Sequence, residues 1–237
     1  MKKTFIDKSE EKLIKIAITI GLILSLILWQ IIPVIILKLL NIDINNIDKT
    51  TKILIIFIND CLLLILMLSI YRKTIIKDYQ NFFNHNLKKH LIKSITMWLI
   101  GFGIMIVSNY IILILTDGTI AQNEENVRTL IDSYPLYMAF QLIIYAPITE
   151  ELIFRKSIKD ITNNKIIYIL TSGLVFGGLH VLSSLSNPEG LLYLIPYCSL
   201  GFIFAYLYYK TDNIFSTITI HSLHNSLALL IYLRRLL

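Results

Sequence analysis

Charge is scarce in this chain of 237 residues. Only 16% of its residues are charged, whereas an ordinary soluble domain has about 25%. The hydrophobic share is 55% and the mean hydropathy is +0.68, and the few charges cluster in short segments between long apolar runs. This distribution argues against an ordinary soluble domain. It predicts an all-α fold, a polytopic bundle of transmembrane helices.

Cysteine is scarce as well, and both cysteines, Cys61 and Cys198, lie in apolar runs. This predicts buried thiols and no disulfide. The sequence also lacks an internal repeat and a low-complexity tract, so one membrane domain is the simplest organisation. The charged stretch 2–12 leads into an apolar run without a small-residue cleavage site, which predicts a retained first span and no cleaved signal peptide.

About seven apolar runs have the length of a membrane span. A helix needs about 20 apolar residues to cross the hydrocarbon core, and the second and fifth runs, with ~18, are at the lower limit. The predicted spans are residues 13–40, 53–70, 91–115, 135–158, 165–182, 191–209 and 214–233. We divide the chain into an N-terminal part, residues 1–134, and a part with the polar groups described below, residues 135–237.

The basic residues indicate how the spans are oriented. With a cytoplasmic N-terminus, the cytoplasmic side receives an inter-helix loop of six cations, the cations that follow the fourth span, and Lys210. The six cations of the loop are Arg72, Lys73, Lys77, Lys88, Lys89 and Lys93. Lys and Arg are enriched in cytoplasmic loops beside anionic lipid. The net charge of +6 therefore indicates a membrane surface and no nucleic acid.

Two further features bear on the location of the protein. The segment 116–133 is polar and acidic and is predicted to be a solvated loop on the side opposite to the basic loop. The abundance of Ile, Leu, Asn and Lys indicates a bacterium with an AT-rich genome. We therefore expect a multi-pass protein of a bacterial cell membrane.

Polar residues in the last four spans form three short patterns. The patterns are Glu150, Glu151 and Arg155 in TEELIFR, His180 at the end of FGGLH, and His221 and Asn225 in HSLHN. An ionisable side chain at the bilayer centre costs roughly 3 kcal/mol on insertion scales, so such residues tend to face the bundle interior and serve a function. At 1.5 Å per residue, the three patterns lie in one slab roughly 13–25 Å from the cytoplasmic turns. We predict that they meet in one hydrolytic site.

The first pattern places two carboxylates in different environments. Glu151 and Arg155 are four residues apart and can pair along one helix face, whereas Glu150 points about 100° away. A carboxylate paired with arginine stays ionised, and one beside apolar walls gains proton affinity. One glutamate can therefore be structural and the other a general base. Pro147, one turn before Glu150, predicts a kink and freed backbone carbonyls.

The second pattern ends the fifth span. Phe176 and His180 are four apart and share one helix face. The glycines of this helix, at positions 173, 177 and 178, predict close approach of a neighbouring helix.

The third pattern, in the last span, places His221 and Asn225 on one face. Asparagine can donate to a developing oxyanion, and histidine can donate or accept. His224 borders this face and receives no role. Each pattern alone has a structural alternative: charges solvated at a span end, a histidine bonded to a backbone carbonyl, and polar residues that join helices.

Taken in order on successive helices, these patterns resemble the CPBP intramembrane proteases. That family contains the type II CAAX prenyl endopeptidases and the bacterial Abi-type bacteriocin-immunity proteins. The resemblance covers residues 135–233 and none of the first three spans. It rests on Glu150-Glu151-x-x-x-Arg155, Phe176-x-x-x-His180 and His221-x-x-x-Asn225.

The resemblance implies a catalytic role for four residues. Glu150, helped by His180, would activate a water for attack on a peptide carbonyl. His221 and Asn225 would stabilise the tetrahedral oxyanion. A bacterium is not expected to make the prenylated substrates of the eukaryotic members, so the cleavage chemistry carries over better than the substrate.

The resemblance also implies that Glu151 and Arg155 hold the first motif in shape, and it leaves open whether a metal takes part. His180 and His221 are candidate zinc ligands, but the sequence has no His-Glu-x-x-His pair and these histidines are on different helices. We favour a carboxylate-activated water without a firmly bound metal, and zinc stays an alternative.

Other classes of intramembrane protease fit poorly. A rhomboid-like enzyme needs a Gly-x-Ser-Gly nucleophile, which Thr171-Ser172-Gly173 does not supply. Site-2-like zinc proteases need the missing His-Glu pattern. Presenilin-like enzymes need paired aspartates inside spans, and we place all the aspartates of this chain in loops or near helix ends.

The function we expect is an intramembrane endopeptidase that cleaves a membrane-associated peptide or membrane protein, with access from the cytoplasmic side. One alternative is a non-catalytic immunity or scaffold protein that binds a bacteriocin-like peptide; replacement of Glu150 by glutamine separates the two. Another is a small proton-coupled transporter, against which the lack of an inverted repeat counts. The expected partners are a peptide or protein substrate and the lipid bilayer.

Overall fold

The computed structural model describes residues 8–85, 87–184 and 189–235, and these residues form helices and no strand. The α-helices are α1 (Lys8–Leu28), α2 (Ile32–Leu39), α3 (Lys49–Ile70), α4 (Arg72–Tyr79), α5 (Leu87–Leu115), α6 (Gln122–Ser133), α7 (Pro135–Phe140), α8 (Ala146–Glu150), α9 (Ile158–Ile161), α10 (Lys165–His180), α11 (Leu194–Thr211) and α12 (Ile214–Arg234). Three π-helical segments, Gln80–His85, Gln141–Tyr145 and Glu151–Ser157, follow α4, α7 and α8. The all-α prediction is confirmed. Residues 2–7 of the charged stretch 2–12 lie outside the described residues.

Six segments of the described chain are long and apolar enough to cross a membrane. They are Ser9–Leu39, Lys49–Ile70, Leu87–Leu115, Pro135–Ile161, Glu189–Thr211 and Ile214–Arg234. Helix α10 is apolar but has only 16 residues, or about 24 Å, against a hydrocarbon core of about 30 Å. The multi-pass bundle is confirmed, with six long helices and one short helix for the seven predicted spans.

The second span is longer than the sequence suggested. The Asp48 side chain accepts hydrogen bonds from the backbone N–H groups of Thr50 and Thr51, both at 3.0 Å. This cap starts α3 at Lys49 and gives it 22 residues, because an N-cap satisfies donors that a helix start would leave unpaired. The expected lower-limit length is therefore right for the fifth span and wrong for the second.

Two segments predicted to be loops are helical. The basic segment forms α4 and its π-helical continuation, and the acidic segment forms α6. Short polar helices that pack through a few apolar residues have a composition close to that of a loop. Because α5 connects these two segments, α4 and α6 lie at opposite ends of the bundle. We refer to the ends as the α4 face and the α6 face.

Glycines bring α10 and α11 into close contact. A Cβ on Gly201 would lie 2.9 Å from the Cα of Gly173, and one on Gly177 would lie 2.9 Å from the backbone nitrogen of Cys198. A Cβ on Gly178 would meet nothing within 4 Å. The predicted close approach is thus confirmed at Gly173 and Gly177 and wrong at Gly178.

Candidate active site

The two adjacent glutamates have different surroundings because a π-helical segment begins between them. Glu151 opens the segment Glu151–Ser157 and its side chain is fully buried, whereas the side chain of Glu150, the last residue of α8, is 19% exposed. Arg155 Nε donates to Glu151 Oε2 at 2.9 Å, and Arg155 Nη2 donates to Oε1 at 3.3 Å. The predicted pairing of Glu151 with Arg155 is present as a buried two-point contact.

Further contacts hold the guanidinium of Arg155 in place. Its Nη1 donates to Ser172 Oγ at 2.9 Å, and Ser172 Oγ in turn donates to the carbonyl of Phe154 at 2.7 Å. The guanidinium carbon lies 4.8 Å from the centre of the Phe176 ring. A buried ion pair is stable only when hydrogen bonds satisfy its remaining polar atoms, and Ser172 meets this need. No sequence motif indicated that Ser172 would bind the guanidinium of Arg155.

His221 connects the last helix to both glutamates. Its Nδ1 lies 2.9 Å from Glu151 Oε1 and its Nε2 lies 3.9 Å from Glu150 Oε2. A carboxylate accepts, so Nδ1 carries a hydrogen, and Nε2 is the ring nitrogen that faces Glu150. The motifs did not indicate this link between His221 and the structural glutamate.

Glu150 has a carboxylate oxygen without a partner. Its Oε2 is buried and makes no hydrogen bond to any described residue. An unsatisfied buried acceptor costs about 1–3 kcal/mol, and more when it is charged. Such atoms are rare in folded proteins, and a catalytic role is one explanation for them beside strain and a bound water or ion.

His180 combines a structural bond with a place at the site. Its Nδ1 lies 2.8 Å from the carbonyl of Phe176, one turn earlier. Because a carbonyl only accepts, Nδ1 is the protonated nitrogen and Nε2 keeps its lone pair. The ring also packs against Tyr197, with ring centres 4.8 Å apart. The carbonyl bond was the structural alternative for this residue, but His180 also lines the cavity with Glu150 and His221.

Pro147 explains the hydrogen bonds made by α12. Proline has no N–H, so it cannot bond the carbonyl of Ile143, four residues earlier. Ser222 Oγ donates to that carbonyl at 2.6 Å, and Asn225 Nδ2 donates to the carbonyl of Leu142 at 2.9 Å. The predicted freeing of carbonyls is confirmed. One N–H of Asn225 is thereby used, and its other N–H stays available beside the cavity.

The site lies in a cavity of about 510 Å³, a size typical of ligand sites. Its lining includes Glu150, His180, His221 and Asn225. Helix α6, which was predicted to be a solvated loop, contributes to its wall. Its lining also includes Phe102, Met105, Glu124, Arg128, Gln141, His224, Leu227, Ala228, Tyr232 and Arg235.

His224 receives a role in packing. Trp98 Nε1 donates to His224 Nδ1 at 3.2 Å, and the Phe102 ring lies edge-on to the imidazole with centres 5.8 Å apart. This contact joins α5 to α12 beside the cavity. The pattern around His221 gave no indication of it, since the partner residues belong to a helix outside the motifs.

Asp60 overturns the statement that all aspartates lie in loops or near helix ends. It sits in the interior of α3 and is fully buried. Its carboxylate accepts from Gln30 Nε2 at 3.0 Å, from Tyr137 Oη at 2.7 Å and from Gln141 Nε2. Gln141 also lines the cavity, so a residue of the N-terminal part supports the site. The other aspartate in the described spans, Asp160, lies at the end of its span and pairs with Lys156, so a paired-aspartate site is still not indicated.

The candidate zinc ligands do not form a metal-binding group. Among the described residues, no set of three or more His, Cys, Asp or Glu side chains is placed to hold a metal ion. In His180 and His221, Nδ1 is engaged by a carbonyl and by a carboxylate, respectively. These donors do not fit the three-ligand arrangement of a catalytic zinc site.

Comparisons with known proteins agree with the motifs. Residues 132–227 match the sequence model of the type II CAAX prenyl endopeptidase Rce1-like family. The chain is 30% identical over 119 residues to YdiL of Bacillus subtilis (strain 168), which is provisionally named a membrane peptidase. That match covers 49% of this chain and 45% of YdiL.

A second relative covers more of its own length. The chain is 29% identical over 132 residues to the UPF0177 protein YxdF of Lactococcus lactis subsp. lactis (strain IL1403). This match covers 53% of this chain and 70% of YxdF. No solved structure gives a significant match. All six motif residues, from Glu150 to Asn225, fall inside the matched segment. Residues 132–227 of this multi-pass membrane protein are thus similar to the type II CAAX prenyl endopeptidase Rce1-like family.

Proposed function

We propose that this protein is an intramembrane endopeptidase in which Glu150 activates a water molecule. The observation that carries the proposal is the buried Oε2 of Glu150, which has no hydrogen-bond partner among the described residues and lies 3.9 Å from His221 Nε2 in a cavity. A carboxylate kept in this state is able to accept a proton from water. The similarity of residues 132–227 to the Rce1-like family supports a peptidase; the roles of individual residues are our inference from the geometry.

In the proposed reaction, Glu150 takes a proton from water as the oxygen adds to the carbonyl carbon of a peptide bond. His180 assists by accepting a hydrogen bond from the same water at its free Nε2. Collapse of the tetrahedral intermediate breaks the C–N bond, and the proton held by Glu150 passes to the leaving amine. Proton, water and both products are thus accounted for without a metal.

The negative oxygen of the intermediate would be stabilised by His221 and Asn225. Nε2 of His221 donates when the imidazole is protonated, and the carboxylate of Glu151 orients the ring through Nδ1, as the aspartate does in a Ser-His-Asp triad. Asn225 donates its second N–H. Each such donor contributes on the order of 3 kcal/mol in well-studied oxyanion holes.

The proposed substrate is a membrane-associated peptide or a membrane protein. Phe102, Met105 and Leu227 give the cavity an apolar wall, which suits an apolar peptide segment. Glu124 and Arg128 add a polar border on α6. The names of the relatives do not specify a substrate.

Replacement of Glu150 by glutamine tests the proposal. Glutamine keeps the size of the side chain and removes the base. Peptides and protein N-termini are compared in cells that make equal amounts of wild type, Glu150→Gln, or Glu125→Gln. Glu125, exposed on α6 and outside the cavity lining, serves as the matched control.

We expect at least one cleavage product to disappear with Glu150→Gln and to persist with Glu125→Gln. Thermal unfolding of the purified variants in detergent provides the second readout. Glu150→Gln should unfold no earlier than wild type, because the change removes an unsatisfied buried charge. Identical cleavage profiles, or a loss of products explained by unfolding of Glu150→Gln, would overturn the proposal.

A further inference from the structure

The two ends of the bundle differ in charge. Contacts between helix ends establish the α4 face as one surface: Lys93 Nζ donates to the carbonyl of Lys210 at 3.0 Å, and Lys159 pairs with Asp212 at 2.6 Å. The described cations at the α4 face are Lys12, Lys15, Arg72, Lys73, Lys77, Lys88, Lys89, Lys93, Lys156, Lys159, Lys165 and Lys210. Those at the α6 face are Lys38, Lys49, Lys52, Arg128, Arg234 and Arg235. The α4 face is richer in cations, so the positive-inside rule places it in the cytoplasm.

The cavity reaches the surface at the other end. Glu124 of α6 and Arg235 beyond α12 line it and are exposed. Tyr232 Oη donates to the Asp132 carboxylate at 3.0 Å, which fixes the end of α6 against the end of α12 at this rim. Ala228 also lines the cavity and is exposed, so the opening extends along the outer side of α12.

Toward the α4 face, the site is closed by packed side chains. The helices between Glu151 and that face contribute residues whose side chains are at most 2% exposed: Leu152, Ile153, Phe154, Ile158, Tyr168, Leu207, Tyr208 and Ile214. Asp78 Oδ2 accepts from the backbone N–H of Ile214 at 2.9 Å and ties α4 to the start of α12. Side chains that are buried this completely leave no passage for a peptide between them.

We propose that the cavity opens on the extracytoplasmic side and admits an apolar peptide segment from that side, such as an exported peptide. The direction of access rests on the charges and packing above, and the peptide as substrate rests on the proposed function. A cytoplasmic N-terminus and cytoplasmic access, both expected from the sequence, are incompatible in this fold. The charge pattern supports a cytoplasmic N-terminus, so we replace the expected cytoplasmic access with access from the extracytoplasmic side.

Cysteine labelling tests the direction without any need for catalysis. In a background with Cys61→Ala and Cys198→Ala, single cysteines replace Asn126 on α6 and Lys73 on α4, both exposed. Intact cells are treated with a membrane-impermeant maleimide. A third variant, Ala228→Cys, reports on the cavity itself.

We expect labelling of Asn126→Cys and Ala228→Cys in intact cells, and labelling of Lys73→Cys only after permeabilisation. The reverse pattern would overturn the proposal. Labelling of Asn126→Cys without Ala228→Cys would also overturn it, because the opening would then be closed to water on that side.

A cleavage assay separates this inference from the proposed function. An internally quenched apolar peptide, selected as a substrate of the detergent-solubilised protein, is added to intact spheroplasts and to inside-out vesicles. Faster cleavage by spheroplasts, lost in Glu150→Gln, supports both proposals. Cleavage by inside-out vesicles alone overturns the access route and leaves the peptidase standing. If no peptide is cleaved even in detergent, the peptidase proposal fails, and the labelling decides the direction of opening.

Discussion

His221 Nδ1 lies 2.9 Å from Glu151 Oε1, so the last helix is bonded to a carboxylate that also accepts from Arg155. The first and third motifs therefore form one buried charge network. Glu151 has two roles in this arrangement: it neutralises Arg155 and it fixes which nitrogen of His221 faces Glu150. Adjacent glutamates thereby differ in function, one structural and one proposed to act on water.

This relationship predicts that Glu151→Gln destabilises the protein. Glutamine leaves the buried Arg155 without a counter-charge, and removal of one partner of a buried ion pair typically costs about 3–5 kcal/mol. The free energy of unfolding, measured by denaturant titration in detergent, should fall by that amount. Glu150→Gln is the matched control and should show no such fall. Equal stability of the two variants would contradict the network described.

Ser222→Ala is expected to destabilise the fold more than Ser226→Ala. Ser222 Oγ donates to the carbonyl of Ile143, to which Pro147 has no N–H to donate. Ser226 Oγ donates at 2.6 Å to the carbonyl of Ser222 in its own helix. An unsatisfied buried carbonyl costs about 1–3 kcal/mol. Thermal unfolding of both variants would measure the difference, and similar transition temperatures would refute the role given to Ser222.

Gly201→Ala should weaken the contact between α10 and α11. The added Cβ would lie 2.9 Å from the Cα of Gly173, and because the obstacle is backbone, the helices must separate. Overpacking of this kind costs about 1–3 kcal/mol. Gly178→Ala, where the Cβ meets nothing within 4 Å, is the control and should be neutral or gain up to about 1 kcal/mol, since alanine is the better helix former.

Asp78 is expected to give stability an acid dependence. It lies outside the spans, and burial raises the pKa of its carboxyl group, although the hydrogen bond from the Ile214 N–H acts in the opposite direction. Because the pKa of Asp78 in the folded state lies above the unfolded value of about 3.9, the stability that this shift gives the fold is fully present at pH values below the unfolded pKa. It is lost as pH rises through the higher folded pKa. Asp78→Asn should remove this dependence while keeping an acceptor for Ile214.

The measurement is the free energy of unfolding of both proteins across the acid range. Wild type should lose stability relative to Asp78→Asn as pH rises through that window. A difference that stays constant with pH, or that grows in favour of wild type, would show that the carboxyl group is not perturbed as described.

Much of the site followed from the sequence because its pattern is local. The four-residue spacing of Glu151 and Arg155 predicted their pairing on one helix. The similar depth of the motifs along their spans predicted that their residues meet, and these residues line one cavity. Pro147 likewise signalled freed carbonyls. These inferences need only helix geometry, which a single chain provides.

What the sequence did not predict depends on contacts between distant elements. The bond from His221 to Glu151 joins residues 70 positions apart, and the opening of the cavity depends on where α6 folds. The segment that forms α6 has the composition of a solvated loop, and its coverage of the site arises from packing against α12. Asp60 was placed in a loop or near a helix end although the predicted second span, residues 53–70, contains it; its donors are at least 30 positions away in the chain.

Asp60 accepts hydrogen bonds from the first span, through Gln30, and from the fourth, through Tyr137 and Gln141, so its replacement tests whether the N-terminal spans support the site. Asp60→Leu removes the common acceptor of Gln30, Tyr137 and Gln141 and leaves their polar groups without this partner. Tyr137→Phe removes the bond that its hydroxyl donates to Asp60 and the bond that it accepts from Gln141, each worth about 1 kcal/mol, and keeps Asp60 as the acceptor of the other two donors. We therefore expect unfolding free energies in the order wild type, Tyr137→Phe, Asp60→Leu. Because Gln141 lines the cavity, peptide cleavage should decline in the same order. Retention of wild-type stability and cleavage by Asp60→Leu would show that the N-terminal spans do not support the site.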